Sequence, residues 1–233
     1  MQQFYMSALT KEEQEVYFDT IESKHISKVL RKKVGDPITI VNGHGYRFEA
    51  SLRSVHDKRC IAVVHQCVKI ASDPYHLHLL IAPPKRNDRM EWFVEKATEI
   101  GVHAITPIIC QRSERKVIKH ERLNKIAIAA MKQSMGAYLP AIHPAIDFMS
   151  SLTKLDGKTF IAHCEHQPKV TLDREMVAHK SISILIGPEG DFSTAEIQAA
   201  TAAGVTPLSL GKKRLRTETA GIVACQLVSQ LYL

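Results

Sequence analysis

From residue 73 onward the chain reads as an α/β domain on a mainly parallel sheet, and before that as a small β-rich barrel. Three observations point there. Apolar runs alternate with helical patterns from Leu77 to the end, the alternation that gives a parallel sheet with helices on both faces. Residues 181–221 hold two strand–glycine loop–helix units in succession, which puts both loops at the carboxyl edge of a sheet, where open α/β folds bind ligands. Residues 38–64 instead carry short strands around Asn42-Gly43-His44-Gly45, a strong hairpin signal. The polar break Ala71-Ser72-Asp73-Pro74 divides the chain into domains 1–72 and 73–233.

In the first domain, His25 to Asp36 places Val29, Leu30 and Val34 toward a core and Lys28, Arg31, Lys32 and Lys33 outward. By itself this basic stretch reads most simply as a solvated face. Ile38–Val41 is a strand, Tyr46–Leu52 alternates as a half-buried strand, and Cys60–Val64 is another. Closure into a barrel would remove exposed sheet edges.

In the second domain, Leu77–Ala82 is a strand and Pro83–Arg89 a basic loop. Asp88, with Glu91 three places on, is positioned to cap the next helix. Met90, Phe93, Val94, Ala97 and Ile100 form its apolar stripe and Gly101 ends it. Ala104–Ile109 is a strand, Glu121–Met135 a helix, Thr159–His163 a strand and Thr171–Ala178 a helix. The β-branched run Ile182–Ile186 stops at Gly187-Pro188-Glu189-Gly190, and Ser193 with Glu196 is a capping box for a helix that Gly204 ends. Leu208–Leu210 is the second strand, Gly211–Arg216 a basic loop, and Thr217 opens the final helix.

The 31 Lys and Arg against 24 Asp and Glu give +7, a modest basic excess that suits a phosphate-rich partner. Both domains share it, 11 basic against 8 acidic groups to residue 72 and 20 against 16 beyond. The five cysteines form no C-x-x-C pair, the usage of a reduced, cytoplasmic protein. The first residues lack the apolar core of a signal peptide, and no apolar run approaches membrane-spanning length, so no membrane partner is expected.

Other constellations carry less weight. His163, Cys164, Glu165 and His166 look like metal ligands, but four adjacent residues after a strand do not easily wrap one ion, and no metal is expected. His76 and His78 share a strand face and read as partly buried side chains. Neither a dinucleotide fingerprint nor a P-loop occurs.

Ile186-Gly187-Pro188-Glu189-Gly190, Leu210-Gly211, Leu215-Arg216 and Glu218-Thr219-Ala220 resemble the signature of the SPOUT methyltransferases, most closely the family that methylates N3 of a uridine in 16S ribosomal RNA. Asp191 stands where that pattern has a glycine, Lys213 where it has an arginine and Arg214 where it has an aliphatic residue. His25, Leu30, Arg31, Gly35 and Asp36 resemble the opening of the same family's PUA-like RNA-binding barrel. Lys85, Arg89, the run Lys96–Val102 and Arg112 extend the likeness to nearly the full chain. Lys132-Gln133-Ser134-Met135-Gly136 stands where the family often has E-Q-S-G-R, so the arginine is absent.

The resemblance implies a C-terminal trefoil knot whose loops hold S-adenosylmethionine, although ordinary rules of connection predict an unknotted sheet. It implies cofactor contacts from Ile186, Gly187, Pro188, Gly190, Ser209, Leu210, Gly211, Leu215, Thr219 and Ala220, and RNA contacts from His25, Arg31, Lys85, Arg89 and Arg112. Methylation at N3 needs a proton acceptor and a donor for charge spreading onto the uracil carbonyls. Arg216 suits the donor, and Glu218 or Glu189 the acceptor. Glu218 reads equally as a first-turn carboxylate favoured by the helix dipole. The apolar positions from Ile222 to Leu233 cover more than one helix face, which predicts a homodimer. Two rival classes stay open, namely another SPOUT methyltransferase acting on tRNA or a ribose oxygen, and a non-catalytic RNA-binding protein of the ribosome.

Overall fold

A computed structural model describes residues 3–175, 178 and 181–232. The chain forms two compact units, residues 1–72 with 131–139, and residues 73–130 with 140–233.

In the first unit β1 (Gln3–Tyr5), β2 (Glu15–Tyr17), β3 (Pro37–Val41), β4 (Tyr46–Ser54) and β5 (Ile61–Lys69) form one sheet in the order β1-β3-β4-β5-β2. Only β1 and β3 run parallel. Both end strands are three residues long, which limits exposed edge. Asn42 builds the hairpin turn: its Oδ1 accepts from the backbone of His44 at 2.9 Å and Tyr46 at 3.2 Å, and Gly43 and Gly45 take φ of 78° and 84°. Phe48, Ala50 and Leu52 on the inner face of β4 pack with Phe4, Phe18 and Ile40.

The basic stretch differs from its expected facing. Helix α1 (Thr20–Lys24), capped by Asp19, runs into a π-helical turn at His25–Val29. Ile26 enters the core, whereas Val29 and Val34 face solvent. The wider π turn shifts the face by a residue. Arg31 follows with φ 53°, the sparsely used left-handed region, and is exposed.

The second unit is organised by a parallel sheet. Strands β6 (His76–Ile81), β7 (Ala104–Ile109), β8 (Ala141–Ile142), β10 (Lys158–Ala162), β11 (Ser181–Ile186) and β12 (Thr206–Leu208) take the order β12-β10-β11-β6-β7-β8, and β9 (Ile146–Asp147) also pairs with β7. Every ladder in it is parallel. The central strands are buried on both faces, which is why they read as unbroken apolar runs.

Helix α2 (Asn87–Ile100) buries Met90, Phe93, Val94 and Ala97 and ends at Gly101, φ 112°. Its cap departs from expectation. Arg86 holds the N-cap position without a side-chain bond, Asp88 turns back to the Arg86 guanidinium, and Glu91 pairs with Arg122. Helix α3 (His120–Gln133) follows β7, and its Met131 packs with Val41 and Ala137 in the first unit. A short helix α4 (Phe148–Leu152) follows β9. The expected helix at Thr171–Ala178 is not formed over its described part: residues 171–173 lack regular structure and 174–175 form a turn, while 176, 177, 179 and 180 lie outside the described residues. Helix α5 (Thr194–Ala202) has the full Ser193–Glu196 capping box. Helix α6 (Thr217–Leu231) packs against α2. Its Ala224, Cys225 and Val228 are buried in that packing, while Ile222, Val223, Leu227 and Leu231 are half-exposed. Leu233 lies outside the described residues.

Candidate active site

Strands β10, β11 and β12 lie side by side and parallel, so the loops after all three leave the same edge. A cavity of about 370 Å³ opens there, within the size range of small-molecule sites. Its lining includes the apolar residues Ile186, Leu208, Leu210, Leu215 and Ala220 and the polar residues His163, Lys169, Glu189, Asp191, Lys212, Lys213 and Arg214.

Hydrogen bonds fix the three loops to one another. The Thr217 hydroxyl donates to the Gly187 carbonyl at 3.0 Å. Arg214 Nη2 donates to the Glu189 carbonyl at 3.1 Å, so this exposed arginine ties the two glycine loops together. Asp191 has φ 63°, the left-handed region that favours glycine, and Asp tolerates it better than most residues. Its Oδ2 accepts from the Cys164 backbone at 2.8 Å. The buried Glu196 carboxylate accepts from Ser193 and from the Gln111 backbone, both at 2.8 Å.

Of the residues expected to meet the cofactor, Ile186, Gly187, Pro188, Ser209, Leu210, Gly211, Leu215 and Ala220 line the cavity; Gly190 and Thr219 do not. Glu189 lines it and accepts from the Lys85 backbone at 3.0 Å. Arg216 is exposed at the N-cap of α6, outside the lining. Glu218 is buried, with Oε1 3.6 Å from Arg89 Nε and Oε2 without a partner among the described residues. Arg112 holds the loop, donating to the carbonyls of Gly190 and Phe192 at 2.9 and 3.2 Å. Lys85 Nζ pairs with Glu114 at 2.8 Å. In the first unit His25 Nδ1 lies 3.2 Å from Glu22, and Arg31 is exposed. Arg47 Nη2 donates to the Met135 carbonyl at 2.8 Å, so a guanidinium lies beside the segment that lacks its expected arginine.

Sequence reasoning missed the loop after β10. His163, Cys164 and Lys169 line the cavity, and the only signal was the polar cluster His163-Cys164-Glu165-His166, which was set aside as a metal site. Among the described residues no group of three ligating side chains is placed to hold a metal. His163 is buried, and burial, then the charge of Lys169, holds its pKa below the ordinary value. The residues fit an adenosyl sulfonium. Apolar lining residues suit a flat base, polar ones suit an amino-acid group, and Gly187 and Gly211 leave backbone close to the cavity.

Residues 71–229 match the family described as RNA methyltransferase domain, and residues 19–64 the RNA methyltransferase PUA domain. The ribosomal RNA small subunit methyltransferase E of Buchnera aphidicola subsp. Acyrthosiphon pisum is 32% identical over 93% of this chain and 88% of its own. A crystal structure of a probable rRNA-methyltransferase from Porphyromonas gingivalis has TM-score 0.89 and 36% identity, covering 100% of this chain and 98% of its own. A ribosomal RNA small subunit methyltransferase E from Neisseria gonorrhoeae, bound to S-adenosyl methionine, has TM-score 0.87 and 28% identity over 100% and 98%.

Proposed function

The chain belongs to the ribosomal RNA small subunit methyltransferase E family, and we propose that it transfers a methyl group from S-adenosylmethionine to N3 of a uridine in 16S ribosomal RNA. The observation that carries this reading is the cavity formed by the loops after β10, β11 and β12. The bound donor supplies an electrophilic methyl on a sulfonium. The chain's part is to hold that group, bring a base to it and take a proton.

Glu189 is the better-placed acceptor, because the residue lines the cavity and Lys85 N–H fixes one of its carboxylate oxygens. Glu218 is the alternative, held by Arg89 with one oxygen unpartnered among the described residues. Arg216, exposed beside the cavity-lining Leu215, stabilises negative charge on the base, since a guanidinium stays charged and forks its donors. Lys85, Arg89 and Arg112 contact RNA from the second unit, and His25 and Arg31 from a PUA-like first unit. Arg31→Ala should weaken RNA binding and lower its salt slope by about one phosphate contact.

The half-exposed face of α6 supports a homodimer. Leu227→Glu tests it, because Val228 is fully buried within its own unit and a charge there would unfold the chain. Light scattering should move from about twice 26.1 kDa to that mass. The trefoil knot and a cytoplasmic location belong to the same proposal, and cysteines without disulfide partners support the latter. No helix among the described residues is long and apolar enough to cross a membrane.

The deciding experiment incubates the protein with methyl-labelled S-adenosylmethionine and small-subunit RNA or particles, then identifies the methylated nucleoside by mass spectrometry. 3-Methyluridine is expected. A ribose-methylated nucleoside or a label confined to tRNA would favour a rival methyltransferase, and no label with retained RNA binding would leave a docking protein.

A further inference from the structure

The Glu189 carboxylate has one oxygen in use and one open. Its Oε1 accepts from the Lys85 N–H at 3.0 Å. Its Oε2 has no partner among the described residues and keeps solvent access. The bonded oxygen restrains the open one, so whatever holds Lys85 also aims the carboxylate.

Lys85 is held from the connection between β7 and α3. Arg115 Nε donates to the Lys85 carbonyl at 3.0 Å. Arg115 Nη1 donates to Oδ1 of Asn87, the first residue of α2. Glu114 pairs with Lys85 Nζ at 2.8 Å. That ion pair is exposed on both sides, and such pairs contribute little. Arg115 is half-buried and spans two acceptors with one planar group, so it carries most of the grip. We propose that Arg115 is a positioning residue for methyl transfer: by holding Lys85 it keeps the Glu189 carboxylate set to accept a proton. This rests on Glu189 being the acceptor in the proposed reaction. In that step N3 of the base passes its proton to Glu189, its electron pair forms the N–C bond, and the S–C pair returns to sulfur.

The test measures steady-state methyl transfer from labelled S-adenosylmethionine to small-subunit RNA or particles. Arg115→Ala should lower kcat about tenfold and leave KM for the donor and for RNA within about twofold. Arg115→Lys keeps a donor for the Lys85 carbonyl and should return kcat to within about threefold of the unaltered chain. Glu189→Ala removes the carboxylate, and adding Arg115→Ala to it should cost less than about twofold more, because residues acting through one group are not additive. If the alanine variant at Arg115 fails to fold, Arg115→Met, which keeps the stem, carries the same comparison. If Glu189→Ala is too slow to assay, the kcat–KM split and the lysine rescue decide. An unchanged kcat overturns the inference. So does a loss confined to KM, which would make Arg115 a binding contact, and so does no recovery with lysine. A full tenfold loss in the Glu189→Ala background overturns it too, since Arg115 then acts by another route. Full activity in Glu189→Ala removes the acceptor, and the inference with it, while leaving the methyltransferase reading intact. An unaltered protein that transfers no methyl removes that reading itself, and the inference with it.

Discussion

After β11 the chain turns through Gly187-Pro188-Glu189-Gly190, and after β12 through Gly211-Lys212-Lys213-Arg214; the two turns line one cavity and are held in opposite ways. A Cβ on Gly187 would stand 3.0 Å from the Phe192 ring and 3.2 Å from its backbone nitrogen, and Phe192 is a fully packed core residue. A Cβ on Gly211 would meet nothing within 4 Å. The first loop is an extension of the core, followed by a capping box and locked by Asp191. The second is a basic surface loop tied down at its far end by Thr217 and Arg214. The comparison teaches that similar glycine motifs need not be glycine for the same reason. In the first, packing crowds a side chain; in the second, φ 129° strains the backbone of any residue but glycine.

That contrast can be broken by mutation, most strongly in the first loop. Gly187→Val should lose about 2–3 kcal/mol of stability, because the methyls press on Phe192. It is therefore a poor probe of cofactor contact alone, and an unchanged melting temperature would show that the loop is not core-bound. Thr217→Val keeps the shape and strands the Gly187 carbonyl. A loss of about 2 kcal/mol is expected in denaturant melts, and a loss near zero would mean that the two loops are held independently. Asp191→Ala should lose about 1 kcal/mol from left-handed strain together with the Cys164 bond. Asp191→Gly should lose less, and the reverse ranking would show that the left-handed backbone is not what the position demands. Arg214→Leu should shift stability by under about 0.5 kcal/mol, as expected for an exposed side chain. A larger drop in thermal stability would move the second loop into the same rigid class as the first.

Much of this was legible in the sequence, and the residues show why. The runs at Leu77, Ala104 and Ile182 became central strands because burial on both faces leaves an apolar run. The Ser193–Glu196 box was readable because both partners are local. Asp88 misled for the same reason: its spacing to Glu91 fits a cap, but Arg86 and Arg122 claim the two carboxylates. What stayed hidden is held by partners far apart in the chain. Glu196 to Gln111 and Asp191 to Cys164 leave no local pattern, nor does Met131 packing with Val41. In the site, the glycine loops were visible and His163 was not, since its meaning depends on β10 lying between β11 and β12.

The same sheet order sets a timetable for the chain. Ser181 on β11 pairs with His76 on β6, so the central ladder joins residues 105 positions apart (181 minus 76). Loop closure of that span precedes any reward from pairing, which makes such parallel ladders slow to form. Strand β12 pairs with β10 outside β11, and the cavity needs all three. Binding competence therefore arrives last in refolding. A methyl donor present from the start has nothing to grip until the barrier is crossed, so it should leave the refolding rate unchanged and slow only unfolding.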